Sequence, residues 1–316
     1  MSIKVSVCCT TYNHERYLEK CLDSLVCQKT NFPFEILVFE DCSTDSTKEI
    51  LSRYAKKYPD LIIPLYQEQN RYSKDIHVCE NYVFPLVRGE YVALCEGDDY
   101  WTDENKLQKQ VDALDLNPDC SFCAHRVALV GDNCESLNDN LPRHKTYTGV
   151  YTPDNFIELG YCHTTCYMLK TSVLKEYLST GLYKTADVFD VPILNYFAQV
   201  GNTYFIDETM SAYRCARVGN WTQNHNAHSH GTSMLETIDA IDAHFDKKWT
   251  KSLDKYRFDE KILVCFREGH FKEIKGKRWK RFVKALPNKK LKLKIYLDFA
   301  FPCIVELLNK RKNKKK

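Results

Sequence analysis

"GEYVALCEGDDYWTDENKLQKQV", residues 89–111, holds the pattern on which the fold turns. Within it "EYVALC" at 90–95 is an apolar run of strand length, and Glu96, Asp98 and Asp99 follow at once. Thr102 is placed to cap a helix running to about Leu116, which Pro118 ends. The acids therefore sit at the carboxyl end of a strand, ahead of a helix. Carboxylates crowded in this way repel one another unless a cation lies beside them. A hard divalent ion with positions left open for phosphate oxygens accounts for the crowding. The plainer alternative is a solvated loop whose charge suits the helix N-terminus behind it.

Working outward, "IKVSVCC" at 3–9 alternates Ile3, Val5, Val7 and Cys9 and predicts a strand, and Leu18, Leu22, Leu25 and Val26 recur at helical spacing after it. "FEILVFE" at 34–40 predicts a second strand. "DCSTDSTKEILSRYAKKY" then supplies capping residues and a helix, and "LIIPLY" at 61–66 gives a third strand signal. Val78, Tyr82, Val83 and Leu86 predict one more helix, closed by Gly89, before the strand at 90–95. Alternation of this kind specifies an α/β fold with a mainly parallel sheet. Ligands of such sheets gather outside the carboxyl ends of the strands, so Asp41 after the second strand and the acids after the fourth are expected at one crevice. Further on, helices are predicted near 171–179 and 189–200 in a more mixed half that runs to about residue 225.

Composition narrows the function classes. Of 316 residues, 44% are hydrophobic and 13% aromatic, as in a globular protein with a sizeable core. A formal charge of +3 is too small for a general nucleic-acid binder, and no nucleic-acid partner is expected. The 15 cysteines are odd in number and irregularly spaced, many at apolar positions such as Cys9, Cys95 and Cys265, and they read as reduced core residues. Cys120 and Cys123 with His125, and Cys162 and Cys166 with His163, lack the paired-knuckle spacing of a zinc site. "MSIKVSVCCTTYN" has no apolar h-region after a basic start, and no stretch reaches the length of a membrane span, so a cytoplasmic chain is expected.

The blocks "VSVCCTTYNHERYLEKCLDSL", "EILVFEDCSTDSTKEIL" and "GEYVALCEGDDYWTDENKLQKQV" together resemble family 2 glycosyltransferases, over roughly residues 3–220 and in the family's order and spacing. The resemblance implies an inverting enzyme of GT-A, Rossmann-like fold that uses a nucleotide-diphosphate sugar, by family habit a UDP-sugar, with Mn2+ or Mg2+. The last block is most similar to bacterial members that build surface polysaccharides, which implies a glycan or lipid-linked acceptor and work at the inner face of the cell membrane. The implied domains are a glycosyltransferase domain at 1–230, with a nucleotide-binding half at 1–118 and an acceptor half at 119–230, and a helical extension at 231–316.

Carried onto this chain, the resemblance places Thr10, Tyr12 and Asn13 along the base and ribose pocket and Asp41 on the base. A packing role for Tyr12 and a helix cap for Asp41 are the alternatives. Glu96, Asp98 and Asp99 fall on the metal and diphosphate motif, with Glu96 in place of its first aspartate, so that Asp98 and Asp99 are the firmer ligands. Trp101 fits a wall of the acceptor or sugar pocket, or the core. An inverting transfer needs one carboxylate to take the acceptor's proton. "ADVFDVPILNYFAQVGNTYFIDETMSAYR" offers Asp187 and Asp190, and alignment of the residues downstream favours Asp190. In "AYRCARVGNWTQ" the family commonly carries a metal- or diphosphate-binding His where this chain has Ala216. Arg214, Arg217, or His225, His228 or His230 of "NHNAHSH" could compensate, and Arg214 is expected at the phosphates as a bidentate guanidinium.

Residues 289–316 mix Phe299, Phe301, Ile304, Val305, Leu307 and Leu308 with flanking lysines, a pattern suited to an anionic membrane surface or to a packed helix with a basic end. Two other classes stay in view. A nucleotidyltransferase usually has a Gly-rich loop after its first strand, but "CCTTYNHERY" has no glycine. A binding protein on a degenerate enzyme fold would not need acids at Asp41, at Asp98 with Asp99, and at Asp190.

Overall fold

A computed structural model describes residues 2–143, 145–156, 159, 162–185, 189–215 and 227–246, with the backbone alone for 227–235. The first strands form as the sequence predicts: β1 (Val5–Thr11), β2 (Phe34–Glu40), β3 (Ile62–Tyr66) and β4 (Tyr91–Glu96) lie side by side in parallel, in the order β3-β2-β1-β4. β1, β2 and β4 are buried along almost their whole length because both of their faces are covered, while β3 lies at the sheet edge and is only partly buried. Alternate side chains supply two cores. Val5, Val7 and Cys9, Ile36 and Val38, and Ala93 and Cys95 pack under α1 (Leu18–Val26), α2 (Thr47–Lys57) and α3 (Lys106–Leu116). Cys8, Leu37, Phe39, Val92 and Leu94 face the other way, toward α4 (Thr171–Thr180) and α5 (Asp190–Val200).

The helix predicted around Val78–Leu86 is instead one π-helical turn, Cys79–Val83, followed by a 3-10 turn, Phe84–Leu86. Pro85 is the reason: it has no amide hydrogen to donate, and its ring collides with the carbonyl one turn back. Gly89 consequently closes no helix. It lies against β1, where a Cβ would stand 2.4 Å from the Ser6 nitrogen, so only glycine permits the approach.

The sheet continues beyond β4 through β9 (Met168–Lys170), β6 (Cys120–Val130), β10 (Asn202–Arg214) and β5 (Tyr100–Trp101). β9 runs antiparallel to β4 and β6, β10 runs parallel to β6, and β7 (Ser136–Leu141) and β8 (Gly149–Tyr151) add to β6 and β10. The result is a mixed, mostly parallel sheet in which both sequence halves share one surface. β5 follows β4 in the chain yet pairs with β10, Trp101 opposite Ser211 and Tyr100 opposite Ala212. The acidic turn between β4 and β5 is therefore anchored at both ends, by the first strands and by β10.

The boundary read at residue 230 falls within α6 (Ala227–His244), whose Ile238 and Ile241 enter the core beside α5. The basic tail at 289–316 lies outside the described residues. Among those described, no helix is long and apolar enough to cross a membrane. The cysteines described carry free thiols, Cys8, Cys9, Cys95, Cys120, Cys123, Cys162 and Cys166 all buried.

Candidate active site

The tips of β1 and β4 are in register, Thr10 beside Glu96, and the Gly97 amide donates to the Thr10 carbonyl at 2.8 Å. A Cβ on Gly97 would lie 2.7 Å from Thr11 Oγ1 and 2.8 Å from His14 Nδ1, so the turn is pressed onto the loop after β1. The Asp99 amide donates to the Glu96 carbonyl at 2.9 Å, which tightens the turn and brings the two side chains to one side. Glu96 Oε1 accepts from Thr164 Oγ1 at 2.5 Å, and Asp99 Oδ1 accepts from the Arg214 amide at 2.9 Å. The second oxygens, Glu96 Oε2 and Asp99 Oδ2, are buried and have no hydrogen-bond partner. His163 Nδ1 stands 3.6 Å from Asp99 Oδ2. Ligand atoms of Glu96, Asp99 and His163 all lie within 4.8 Å of one another, the one such group among the described residues.

Electrostatics follow from this packing. Asp99 is 2% exposed, and burial, then the charges of Asp98 and Glu96, hold its carboxyl well above the usual range. Burial also raises Glu96; the hydroxyl of Thr164 opposes the rise, and the charges of Asp98 and Asp190 add to it. Burial drives the His163 imidazole down to about 3, against the charge of Asp98, so the ring is neutral, and its Nδ1 accepts from the Thr165 amide at 3.4 Å. Unpartnered buried carboxylate oxygens beside a neutral imidazole fit a divalent cation, which would supply the missing charge and ligation together. Glu96 thus belongs to the convergent group, whereas the half-buried Asp98 turns toward the loop after β1, with Oδ2 4.0 Å from His14 Nε2.

Two expectations need correction. Arg214, 2% exposed, does not present its guanidinium as an open fork for phosphate. Nε donates to the Asp98 carbonyl at 2.9 Å, and Nη1 donates to the carbonyls of Gly131 at 3.2 Å and Asp132 at 2.5 Å. The group also stacks over Tyr17, 4.6 Å from the ring centre. It ties the acidic turn to the β6–β7 turn. Trp101 is no pocket wall: it is 4% exposed in the core, with Lys106 Nζ 3.9 Å from a ring centre and its amide donating to Ser24 Oγ. Alternation along β5 sends Tyr100 toward solvent and Trp101 inward.

The β1 and β2 tips hold the other expected residues. Tyr12 is 41% exposed, which removes the packing alternative. Asn13, at φ 54°, accepts from the Thr44 amide through Oδ1, and its own amide donates to Ser43 Oγ, joining the two loops. Asp41 is buried and caps no helix. Its carboxylate accepts from the amides of Arg71 at 2.6 Å and Tyr72 at 3.0 Å, so it fixes the segment that follows β3 against the tip of β2. Burial raises its carboxyl against those two amides.

Asp190 opens α5, where helix amides favour a negative charge, and its field reaches Glu96. Asp187, Ala216, Arg217 and His225 lie outside the described residues, as do the side chains of His228 and His230. His163 and His14 were not expected. The only signal for His163 was "CHTTC", read against zinc; Cys162 and Cys166 are indeed buried in the core and stand outside the group of Glu96, Asp99 and His163.

The model of Glycosyl transferase family 2 matches residues 6–178, more than half of the chain. An uncharacterized Mycobacterium tuberculosis protein is 32% identical over 240 residues, 74% of this chain and 64% of that protein, so the chain spans under two thirds of that relative's length. The poly(ribitol-phosphate) beta-N-acetylglucosaminyltransferase TarS of Staphylococcus aureus is 34% identical over 105 residues, 32% of this chain and 17% of that protein. The crystal structure of TarS residues 1–349 in complex with UDP-GlcNAc superposes with a TM-score of 0.64 at 20% identity, covering 90% of this chain and 80% of the other, a likeness of fold. The match over β1 to α4, together with a fold of the same GT-A type, gives the assignment: the chain belongs to glycosyl transferase family 2.

Proposed function

We propose that the chain is a metal-dependent, inverting glycosyltransferase that moves a sugar from a nucleotide-diphosphate donor, a UDP-sugar, to a glycan or lipid-linked acceptor of a bacterial surface polysaccharide. The observation that carries this reading is the pair of unpartnered buried oxygens, Glu96 Oε2 and Asp99 Oδ2, at the tip of β4. When bound there, Mn2+ or Mg2+ would neutralise the charge that builds on the leaving diphosphate. Tyr12, Asn13 and the segment held by Asp41 border the nucleotide, and Thr10 backs it. Asp98, at the open side of the turn, faces the diphosphate. Asp190 takes the proton from the acceptor hydroxyl as that oxygen attacks the anomeric carbon. Arg214 and Trp101 act from behind, by holding the turn and the strand after it.

The names of relatives support a polymer acceptor, since TarS is named for poly(ribitol phosphate) and N-acetylglucosamine. Lipid-linked or nascent glycan would be met at the inner face of the cell membrane, and the basic tail at 289–316 would hold a cytoplasmic enzyme against anionic lipid there. The test is UDP release from a panel of UDP-sugars with Mn2+, with and without poly(ribitol phosphate) or lipid-linked glycan. One UDP-sugar should release UDP faster when its acceptor is added, and chelation should lower the rate by at least about a hundredfold. Turnover of no UDP-sugar under any of these conditions, or an undiminished rate after chelation, would overturn the proposal.

A further inference from the structure

We infer that His14 is a positioning residue for Asp98, holding that carboxylate toward the donor diphosphate through its ring Nε2–H. This rests on the metal-dependent reading above and adds to it the residue that orients one of its acids. His14 Nε2 stands 4.0 Å from Asp98 Oδ2, an ion-pair contact that a shift of about 1 Å in either side chain turns into a hydrogen bond. The neutral Nε2–H tautomer and the imidazolium both donate from this nitrogen, so the role requires no particular charge on the ring. The charges of the turn itself call for such a contact. Asp98 raises both Glu96 and Asp99, and the same repulsion pushes Asp98 away from that buried pair. Arg214 lies against the turn but directs Nε and Nη1 at the backbone carbonyls of Asp98, Gly131 and Asp132.

The imidazole is fixed from three sides. The His14 amide donates to Thr47 Oγ1 at 2.7 Å, at the start of α2, and its carbonyl accepts from the amides of Tyr17 and Leu18 at 2.9 Å, at the start of α1. The buried ring meets Tyr17 edge-on, with centres 6.3 Å apart and planes at 70°, and Tyr17 carries the Arg214 guanidinium over its face. Gly97 closes the third side, where a Cβ would stand 2.8 Å from His14 Nδ1. The starts of two helices and the acidic turn therefore meet at one ring, whose orientation is set before the donor arrives. Support of this kind behind a group that faces a metal or its ligand is worth about ten- to a hundredfold in affinity.

The test is calorimetric titration of the full chain with UDP, with and without Mn2+, for wild type, His14→Gln, His14→Asn, Asp98→Ala and the double variant of His14→Asn with Asp98→Ala. The amide nitrogen of glutamine reaches the place of Nε2 and that of asparagine only the place of Nδ1, so the two separate donation at Nε2 from the mere presence of a polar side chain. His14→Leu replaces His14→Asn should the latter fail to unfold cooperatively in urea. With Mn2+, His14→Asn should bind UDP about tenfold or more weaker, and His14→Gln within about threefold of wild type. Once Asp98 is alanine, His14→Asn should change the affinity by less than about twofold, because the two side chains act as one unit. Equal affinity in wild type and His14→Asn, glutamine as weak as asparagine, or a full loss that persists without Asp98 would overturn the His14 assignment and leave the metal site standing. No dependence of wild-type UDP binding on Mn2+ would overturn both.

Discussion

Asp190→Asn is expected to lower the transfer rate by about a thousandfold or more while leaving UDP binding within about twofold. The carboxylate opens α5 and its charge is felt at Glu96, so it shares the crevice with the acidic turn while lying on a different element. Asparagine has nearly the same shape and can still accept hydrogen bonds at a helix start, so the fold should be unaffected. It cannot take a proton from an attacking hydroxyl. Turnover with acceptor and UDP affinity, measured on the same preparation, separate the two roles. Normal turnover in Asp190→Asn would move the base to another carboxylate, with Asp187 next in line.

The largest stability effect is expected at Arg214. Its guanidinium holds the carbonyls of Asp98, Gly131 and Asp132, and its amide holds Asp99. Truncation to alanine leaves the buried Gly131 carbonyl and the part-buried carbonyls of Asp98 and Asp132 without this donor and empties the space over Tyr17, which should cost about 3–5 kcal/mol. Arg214→Lys keeps a charge but not the planar fork, and should fall between. Urea unfolding measures both. If Arg214→Ala unfolded like wild type yet lost UDP affinity, the side chain would be a phosphate ligand after all, and its place behind the acidic turn would be wrong.

How far the sequence spoke depended on how local each signal was. β1, β2 and β4 are short, largely apolar segments separated by helical periodicity, so their order announced a parallel sheet, and Gly181 and Gly201 close α4 and α5 where helical periodicity ends. The segment at 78–86 misled because periodicity does not register Pro85. β6 and β10 escaped notice because their pairing is between residues about 80 apart, such as Phe122 with Thr203, which no local pattern encodes. The same division holds at the site. Three acids at one strand tip are conspicuous in any sequence. His163 comes from a loop whose approach depends on β9 lying beside β4, so only the fold could bring it to Asp99. Arg214 was expected at the phosphates and instead bonds backbone carbonyls behind the acidic turn, because whether a guanidinium faces phosphate or carbonyls is a matter of burial, which the sequence does not carry.

The most direct measurement is calorimetric titration of the wild-type chain with UDP, in Mn2+ and after chelation, repeated on Glu96→Gln. Glutamine preserves the size of the side chain and its bond from Thr164 while removing its charge. The account predicts UDP binding at least about tenfold tighter with Mn2+, a difference of about 1.4 kcal/mol, and loss of that gain in Glu96→Gln. Equal affinity with and without Mn2+, or a gain that persists in Glu96→Gln, would contradict the assignment of the acidic turn as the metal and diphosphate site.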